Sequence, residues 1–314
     1  MPIWAGSARF RHNQAKGARR IAFDGGILKA SQMTADYVIR PDPTDVRLTR
    51  RVSGTDHTGE QIEVSVVEER PLTIFLNGQE IVTAMTIGDY PDLLAVGYLK
   101  NQGMLLATDL ITDVEHDDDL ETVVVRTDRQ TDYEEKLKKK VRTSGCAVGT
   151  VFGDMMEGLE GVSLPKVELR TSWLYALAKK INTTPSLYLE AGAIHGTVLC
   201  RRDEPLVYME DVGRHNAVDK IAGWMAMNGI GAEDKILYTT GRLTSEMVIK
   251  CVLMGIPVLA SRSGFTAWGV QLANEMGLTV IGRMRGERFI CLSGADRLVA
   301  DASIGHKHVE QGAE

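Results

Sequence analysis

Residues 210–225 read E-D-V-G-R-H-N-A-V-D-K-I-A-G-W-M, and residues 235–245 read K-I-L-Y-T-T-G-R-L-T-S. An apolar strand ending at Met209 leads into the first run. Val218, Ile221, Ala222 and Met225 then recur at the i, i+3, i+4, i+7 spacing of a helix with one buried face. Arg214, His215, Asn216, Asp219 and Lys220 crowd the start of that helix. Polar groups there stand beside backbone N–H groups that lack intrahelical partners, a favourable setting for a phosphate or carboxylate. A capped helix with a solvated first turn reads the same way.

The pattern continues on both sides. Strands are expected at 194–200, 206–209, 236–239, 258–261, 278–281 and 288–292. Helices are expected from about 214 to 229, at 244–254 and at 266–276, with Gly255 and Pro257 closing the second. Strands and helices alternating through such short links predict an α/β fold with a largely parallel, helix-covered sheet. Upstream, Ile62, Val64 and Val66 alternate. Segments 72–76 and 80–85 flank Asn77-Gly78, a pair that accepts the positive φ of a tight hairpin turn. A helix opens near Pro91 and ends at Gly103, 122–126 reads as a strand, and 173–181 reads as a helix after Thr171-Ser172. The charged segment 132–140 reads as a solvated helix face. Three segments follow: an arm-like or poorly ordered extension over 1–60, a smaller mixed domain over 61–165, and an α/β domain over 166–314.

The chain has 314 residues, 44% hydrophobic and 25% charged, which is ample to bury a core. A net charge of −6 disfavours nucleic acid as a partner. No apolar run is long enough to span a bilayer, so no membrane partner is expected. The N-terminus lacks the apolar core of a secretory signal, which makes a cytoplasmic location the expectation. Four widely spaced cysteines fit neither a disulfide scaffold nor a zinc site, so no metal is expected. Cys200, Cys251 and Cys291 have apolar neighbours and read as buried thiols. Cys146 differs. It lies in the turn-like run Arg142-Thr143-Ser144-Gly145-Cys146-Ala147-Val148-Gly149, where small neighbours give access and Arg142 favours the thiolate. An inert loop thiol and a nucleophile both fit that sequence.

Further polar residues fall at successive strand ends. His195 follows Gly192-Ala193-Ile194. Gly241-Arg242-Leu243-Thr244-Ser245 joins a strand to a helix, and Ser261-Arg262-Ser263-Gly264-Phe265-Thr266 does so again. Open α/β sheets bind ligands at the carboxyl ends of their strands. Gly282-Arg283-Met284-Arg285-Gly286-Glu287-Arg288 follows the last core strand. Its three arginines suit forked contacts to a diphosphate, and a solvated turn is the plain alternative. Convergence of these junctions predicts one cleft lined by His195, Arg214, His215, Gly241, Arg242, Ser261 and Arg285.

The runs 211–220 and 241–250, with 192–195 before them, resemble the formate dehydrogenase accessory sulfurtransferase family, FdhD/NarQ. The resemblance spans about residues 69–293. It implies a three-layer, cytidine-deaminase-like C-terminal domain behind a smaller mixed α+β domain. It also implies sulfur transfer: Cys146 would take sulfur as a persulfide from a cysteine desulfurase. The sulfur would pass to a bis-molybdopterin guanine dinucleotide cofactor, of molybdenum or tungsten, bound as cargo for the formate dehydrogenase catalytic subunit. Segment 282–288 would then contact the dinucleotide, so Arg283, Met284, Arg285, Gly286, Glu287 and Arg288 join the cofactor-binding candidates. The family usually carries an aromatic where Arg283 stands, and a second cysteine where Gly149 stands. The last core strand, 288–292, would pair across a homodimer.

Rival readings are weaker. A zinc deaminase needs H-x-E with P-C-x-x-C, but Gly196-Thr197 follow His195 and no P-C-x-x-C exists. Neither G-x-G-x-x-G after a strand nor G-x-x-x-x-G-K-[ST] is present. The remaining alternative is a non-catalytic chaperone that binds the cofactor and bridges desulfurase and dehydrogenase.

Overall fold

The computed structural model describes residues 37–106, 108–129 and 158–302. The Cys146 loop, the charged segment 132–140 and the first 36 residues of the expected arm lie outside them. An antiparallel ribbon of β1 (Thr49–Thr55) and β2 (Gln61–Val67) comes first. Its β1 falls inside the stretch expected to be arm-like. The Asp56 carboxylate makes the turn, accepting from the Thr58 and Glu60 N–H groups, and Gly59 takes a φ of 90°.

Next, β3 (Arg70–Leu76) and β4 (Gln79–Thr86) form the hairpin expected around Asn77, whose φ is 56°. With β5 (Ile111–Asp117) and β6 (Thr122–Thr127) they make a four-stranded sheet in the order β4-β3-β6-β5. Helix α1 (Pro91–Asn101) packs Leu94, Val96 and Leu99 against Ile74, Leu76, Val123 and Val125.

After β7 (Leu169–Arg170), α2 (Thr171–Thr183) and α3 (Leu187–Ala191) precede a second sheet. Its strands are β8 (His195–Arg201), β9 (Glu204–Asp211), β10 (Lys235–Thr239), β11 (Val258–Ser261), β12 (Thr279–Arg285) and β13 (Arg288–Ser293). Helices α4 (Arg214–Met227), α5 (Ser245–Leu253) and α6 (Ala267–Glu275) alternate with them. The order is β13-β12-β11-β10-β8-β9. Only the β10-β11 and β11-β12 pairs are parallel, and β8, β9 and β13 pair antiparallel. The sheet is therefore mixed around a parallel centre, not largely parallel. The cause is connection length. Arg202-Asp203 joins β8 to β9 and Gly286-Glu287 joins β12 to β13, and two residues permit only a hairpin.

Alternation along the central strands feeds two cores. Leu199, Leu237 and Leu259 face Val218, Ile221, Val248, Val252 and Leu272 from α4, α5 and α6. Cys200, Ile236, Tyr238 and Ala260 face Leu174, Leu177 and Ile181 from α2 on the other side. The strand–helix–strand reading of 194–292 thus holds to within a few residues at each end.

Helix α4 is where the two sheets meet. A Cβ on Gly97 of α1 would stand 1.7 Å from the Asp219 carbonyl oxygen, and one on Gly223 would stand 1.9 Å from that of Leu93. Only glycines allow the two helices to approach this closely. Charges lock the contact. Lys250 Nζ lies 2.6 Å from Asp219 Oδ2, and the Asn101 side-chain amide donates to Asp219 Oδ1 at 2.7 Å. Lys220 is ion-paired with Asp89 and, at 2.6 Å, with Asp211, and it donates to the Glu210 carbonyl. Burial alone would lower the Lys220 pKa, but the two carboxylates outweigh it and hold the ammonium form. Thr86 Oγ1 donates to Asp211 at 2.5 Å, and Asn216 donates to Asp211 and to the Met85 carbonyl.

Lys250→Met leaves the Asp219 carboxylate buried without its cation. Unfolding free energy should fall by about 3–5 kcal/mol, read as a lower urea midpoint. An unchanged midpoint would show that the pair does not hold α4 in place.

Candidate functional site

Because β8 runs antiparallel to β10, its start lies at the end where β10 finishes. The pairing sets Thr197 against Thr239 and carries His195 to the edge where β10, β11 and β12 end. The Thr240 hydroxyl oxygen accepts from the Gly196 N–H at 3.0 Å and lies 3.4 Å from His195 Nδ1. A side chain at Gly196 would collide with the Tyr208 ring at 2.7 Å, so this close strand packing requires glycine. His195, Thr240, Arg262, Ser263 and Arg285 then face a cleft of about 390 Å³, with Tyr188, Val212 and 192–194 completing its wall. No carboxylate lines it. A second chamber of about 210 Å³ shares Tyr188, Thr240 and Arg262 with the first.

The loops are held by buried hydrogen bonds. Ser261 Oγ donates to the Gly241 carbonyl at 2.6 Å and accepts from the Ser263 N–H at 2.9 Å. The Arg283 N–H donates to the Ser263 carbonyl at 2.7 Å, while Arg283 itself takes a φ of 53°. The β10–α5 and β11–α6 turns are therefore fixed to each other and to β12.

Electrostatics favour an anion. His195 titrates below its ordinary value, first because it is half-buried and then because Arg214, His215 and Arg242 surround it with positive charge. The same field attracts phosphate or carboxylate. His215 Nε2 lies 3.1 Å from Glu246 Oε2. Burial lowers its pKa, partly offset by the hydrogen bond to Glu246.

The expected site residues take different places. His195 and Arg285 line the cleft, and Arg214, His215 and Arg242 bear on it through their charge. Gly241 and Ser261 are buried and shape the turns, with Gly241 packed against the Arg214 side chain. Met284 is buried on the α2 side of the sheet with Ile281, because the irregularity between Gly282 and Arg285, with Arg283 at a positive φ, breaks the strict alternation that would have sent it to the other face with Val280. Arg283, Gly286, Glu287 and Arg288 are exposed around the β12–β13 turn, where Gly286 has a φ of 57°. Asn216 bonds to Met85 and Asp211, Asp219 to Asn101 and Lys250, and Lys220 to Asp89 and Asp211, and none of the three lines the cleft.

Arg262, Thr240 and Tyr188 join the site without having been singled out. Arg262 and Thr240 sit at strand ends, a position that carries the signal. Tyr188 comes from α3, and no local pattern marks it. Among the remaining cysteines, burial pushes the thiols of Cys200, Cys251 and Cys291 upward, so all three are poor nucleophiles. No group of three or more potential metal ligands occurs among the described residues, and no described helix is long and apolar enough to cross a membrane.

Comparison with known proteins adds to this geometry. The FdhD/NarQ family profile matches residues 67–299. A Wolinella succinogenes protein named Sulfur carrier protein FdhD is 32% identical over 244 residues, covering 73% of this chain and 80% of the relative. A Bacillus subtilis protein of the same name is 31% identical over 252 residues, covering 76% and 94%. The crystal structure of a candidate formate dehydrogenase accessory protein from Desulfotalea psychrophila superposes with a TM-score of 0.65. It is 26% identical and covers 80% of this chain and 98% of that one.

An NMR titration of His195 should give a midpoint below 6.5 that rises when pyrophosphate is added, because a bound anion favours the imidazolium. A midpoint that does not move would place the anion elsewhere.

Proposed function

This chain belongs to the FdhD/NarQ family, and from that premise we propose that it is a sulfur carrier for the maturation of formate dehydrogenase. The observation that carries the reading is the cationic, carboxylate-free cleft at the ends of β10, β11 and β12. Relatives named sulfur carriers supply the chemistry, and the cleft supplies a place for a phosphate-bearing acceptor of the sulfur. The acceptor in this reading is the bis-molybdopterin guanine dinucleotide cofactor, held as cargo. Arg285 and Arg262 suit its diphosphate because guanidinium groups make forked contacts to phosphate oxygens.

Cys146 carries the sulfur. It is the one cysteine outside the described residues, and burial disfavours the thiolate of the other three. Its thiolate attacks the outer sulfur of the cysteine desulfurase persulfide. A new S–S bond forms at Cys146, the donor's S–S bond breaks, and the desulfurase cysteine leaves as thiolate. Gly149, where a second cysteine is usual, rules out a two-cysteine relay through that position. The same departure favours the second reading, a non-catalytic chaperone that binds the cofactor and bridges desulfurase and dehydrogenase. On either reading the protein works in the cytoplasm. It pairs as a homodimer through β13, an edge strand whose Ile290 and Leu292 are exposed.

Cys146→Ala should fold and bind nucleotide as the parent does, yet lose persulfide labelling after incubation with a cysteine desulfurase and cysteine. It should also leave formate dehydrogenase inactive in a cell with no other copy. Full dehydrogenase activity with this variant would leave the chaperone reading standing. Arg285→Ala should weaken guanosine diphosphate binding by about 1–3 kcal/mol, measured by calorimetry. An equal affinity would remove Arg285 from the phosphate contacts.

A further inference from the structure

Glu210 does not line the cleft, yet it supports one of its walls. It is 2% exposed near the end of β9, and its carboxylate reaches the start of α3. Oε2 accepts from the Leu187 N–H at 2.8 Å, and Oε1 accepts from the Tyr188 N–H at 3.0 Å. Ser186 Oγ accepts from the Leu189 N–H. A side chain 22 residues further along the chain thus satisfies donors that the helix itself leaves free. Five residues make a helix with little stability of its own, so these bonds and the buried Leu187 side chain fix its place. Tyr188 then walls the cleft, and the guanidinium of Arg262, which also lines it, stands 5.2 Å from the centre of the Tyr188 ring.

We propose that Glu210 is a positioning residue for the phosphate cleft: its carboxylate caps α3 and so holds Tyr188, and through Tyr188 the Arg262 guanidinium, where a phosphate meets it. A carboxylate accepts from both N–H groups, whereas a carboxylic acid turns one oxygen into a donor and loses one of the two bonds. The hold therefore depends on pH. Burial pushes the Glu210 carboxyl up to about 7, with Asp89 adding like charge, while the two N–H groups and Lys220 of α4 offset part of the rise. Glu210 also lines a third cavity, of about 640 Å³, through which protons reach it. There Arg40, Arg47 and His116 stand against Asp42, Asp45, Asp92 and Asp118, so the surroundings give a further carboxylate no net support. The phenols of Tyr90 and Tyr208 on the same wall are raised by burial and stay neutral. The cap is thus complete above about 7 and weakens as pH falls through that value. His195 acts in the opposite sense, since its protonation strengthens the attraction for an anion.

The inference rests on the phosphate-binding reading of the cleft, and calorimetry of the full chain with inorganic pyrophosphate separates the two. Glu210→Gln keeps the shape but offers one acceptor and one donor, so it copies the protonated form at every pH. It should bind pyrophosphate about tenfold more weakly than the parent at about pH 8.5, and the gap should close below about pH 6. His195 is the same in both proteins, so the gap reports Glu210 alone. In a Tyr188→Ala background the Glu210→Gln change should have no further effect, because both act through one contact. In the parent itself, exchange of the Leu187 and Tyr188 amides, corrected for intrinsic rate, should quicken as pH falls through about 7. That measurement decides the matter should the variant fail to fold, and amide protection independent of pH would overturn the inference. So would a gap of equal size at both pH values, which would leave Glu210 a packing residue. Tighter binding by the variant would overturn it as well, because the charge would then act on the anion directly. A parent that does not bind pyrophosphate would overturn the phosphate reading and this inference with it.

Discussion

The buried ion pairs on α4 are the interaction on which the rest of the structure depends. Asp219 and Lys220 are adjacent in sequence and both almost wholly buried, yet they point to different partners. Asp219 joins Lys250 of α5 and Asn101 of α1, and Lys220 joins Asp89 and Asp211. An isolated charge at either position would be very costly to bury. The fold is therefore committed to bringing α1, α4 and α5 to one place. The glycine contact between α1 and α4 lets the partners reach each other.

That clamp explains why the cleft is well shaped. Asp211 closes β9, and its carboxylate is held at once by Thr86, Asn216, Lys220 and the Gly213 N–H. The chain just beyond it, at Arg214 and His215, starts α4 from a fixed point. Arg214 packs on Gly241, and Ser261 bonds the Gly241 carbonyl, so the β9, β10 and β11 ends are coupled. A site built this way is preorganised: its positive field is present before any anion arrives, and little needs to move on binding. The lowered pKa of His195 belongs to the same arrangement, first because burial disfavours the imidazolium and then because the neighbouring arginines repel it.

One polar motif serves two sides of a helix. Residues 211–220 would look equally suitable as ligand groups when read as a list. The helical repeat separates them. Asp219 turns to α1 and α5 and Lys220 to Asp89 and Asp211, while Arg214 packs on Gly241 and His215 pairs with Glu246 of α5. A segment can thus hold the fold and bear on the site because a helix presents different faces to different neighbours.

Much of this was legible in the sequence. Period-2 and period-3.6 patterns placed the strands and helices over 194–292, and Asn77-Gly78 placed the first hairpin, because local sterics and burial of one face fix these features. That His195 and Arg285 line one cleft was legible because both stand at strand ends on the same edge of the sheet. Three things were decided only by tertiary structure. Strand direction changed from largely parallel to mixed because the two-residue links at Arg202-Asp203 and Gly286-Glu287 force hairpins. Met284 went into the α2-side core beside Ile281 because the irregularity between Gly282 and Arg285 breaks the regular alternation of β12. Tyr188 reached the site from α3, and Lys220 found Asp89 and Asp211, through contacts between segments distant in the chain. Sequence periodicity reports which face of an element is buried, whereas the identity of the facing residue depends on how separate elements pack together.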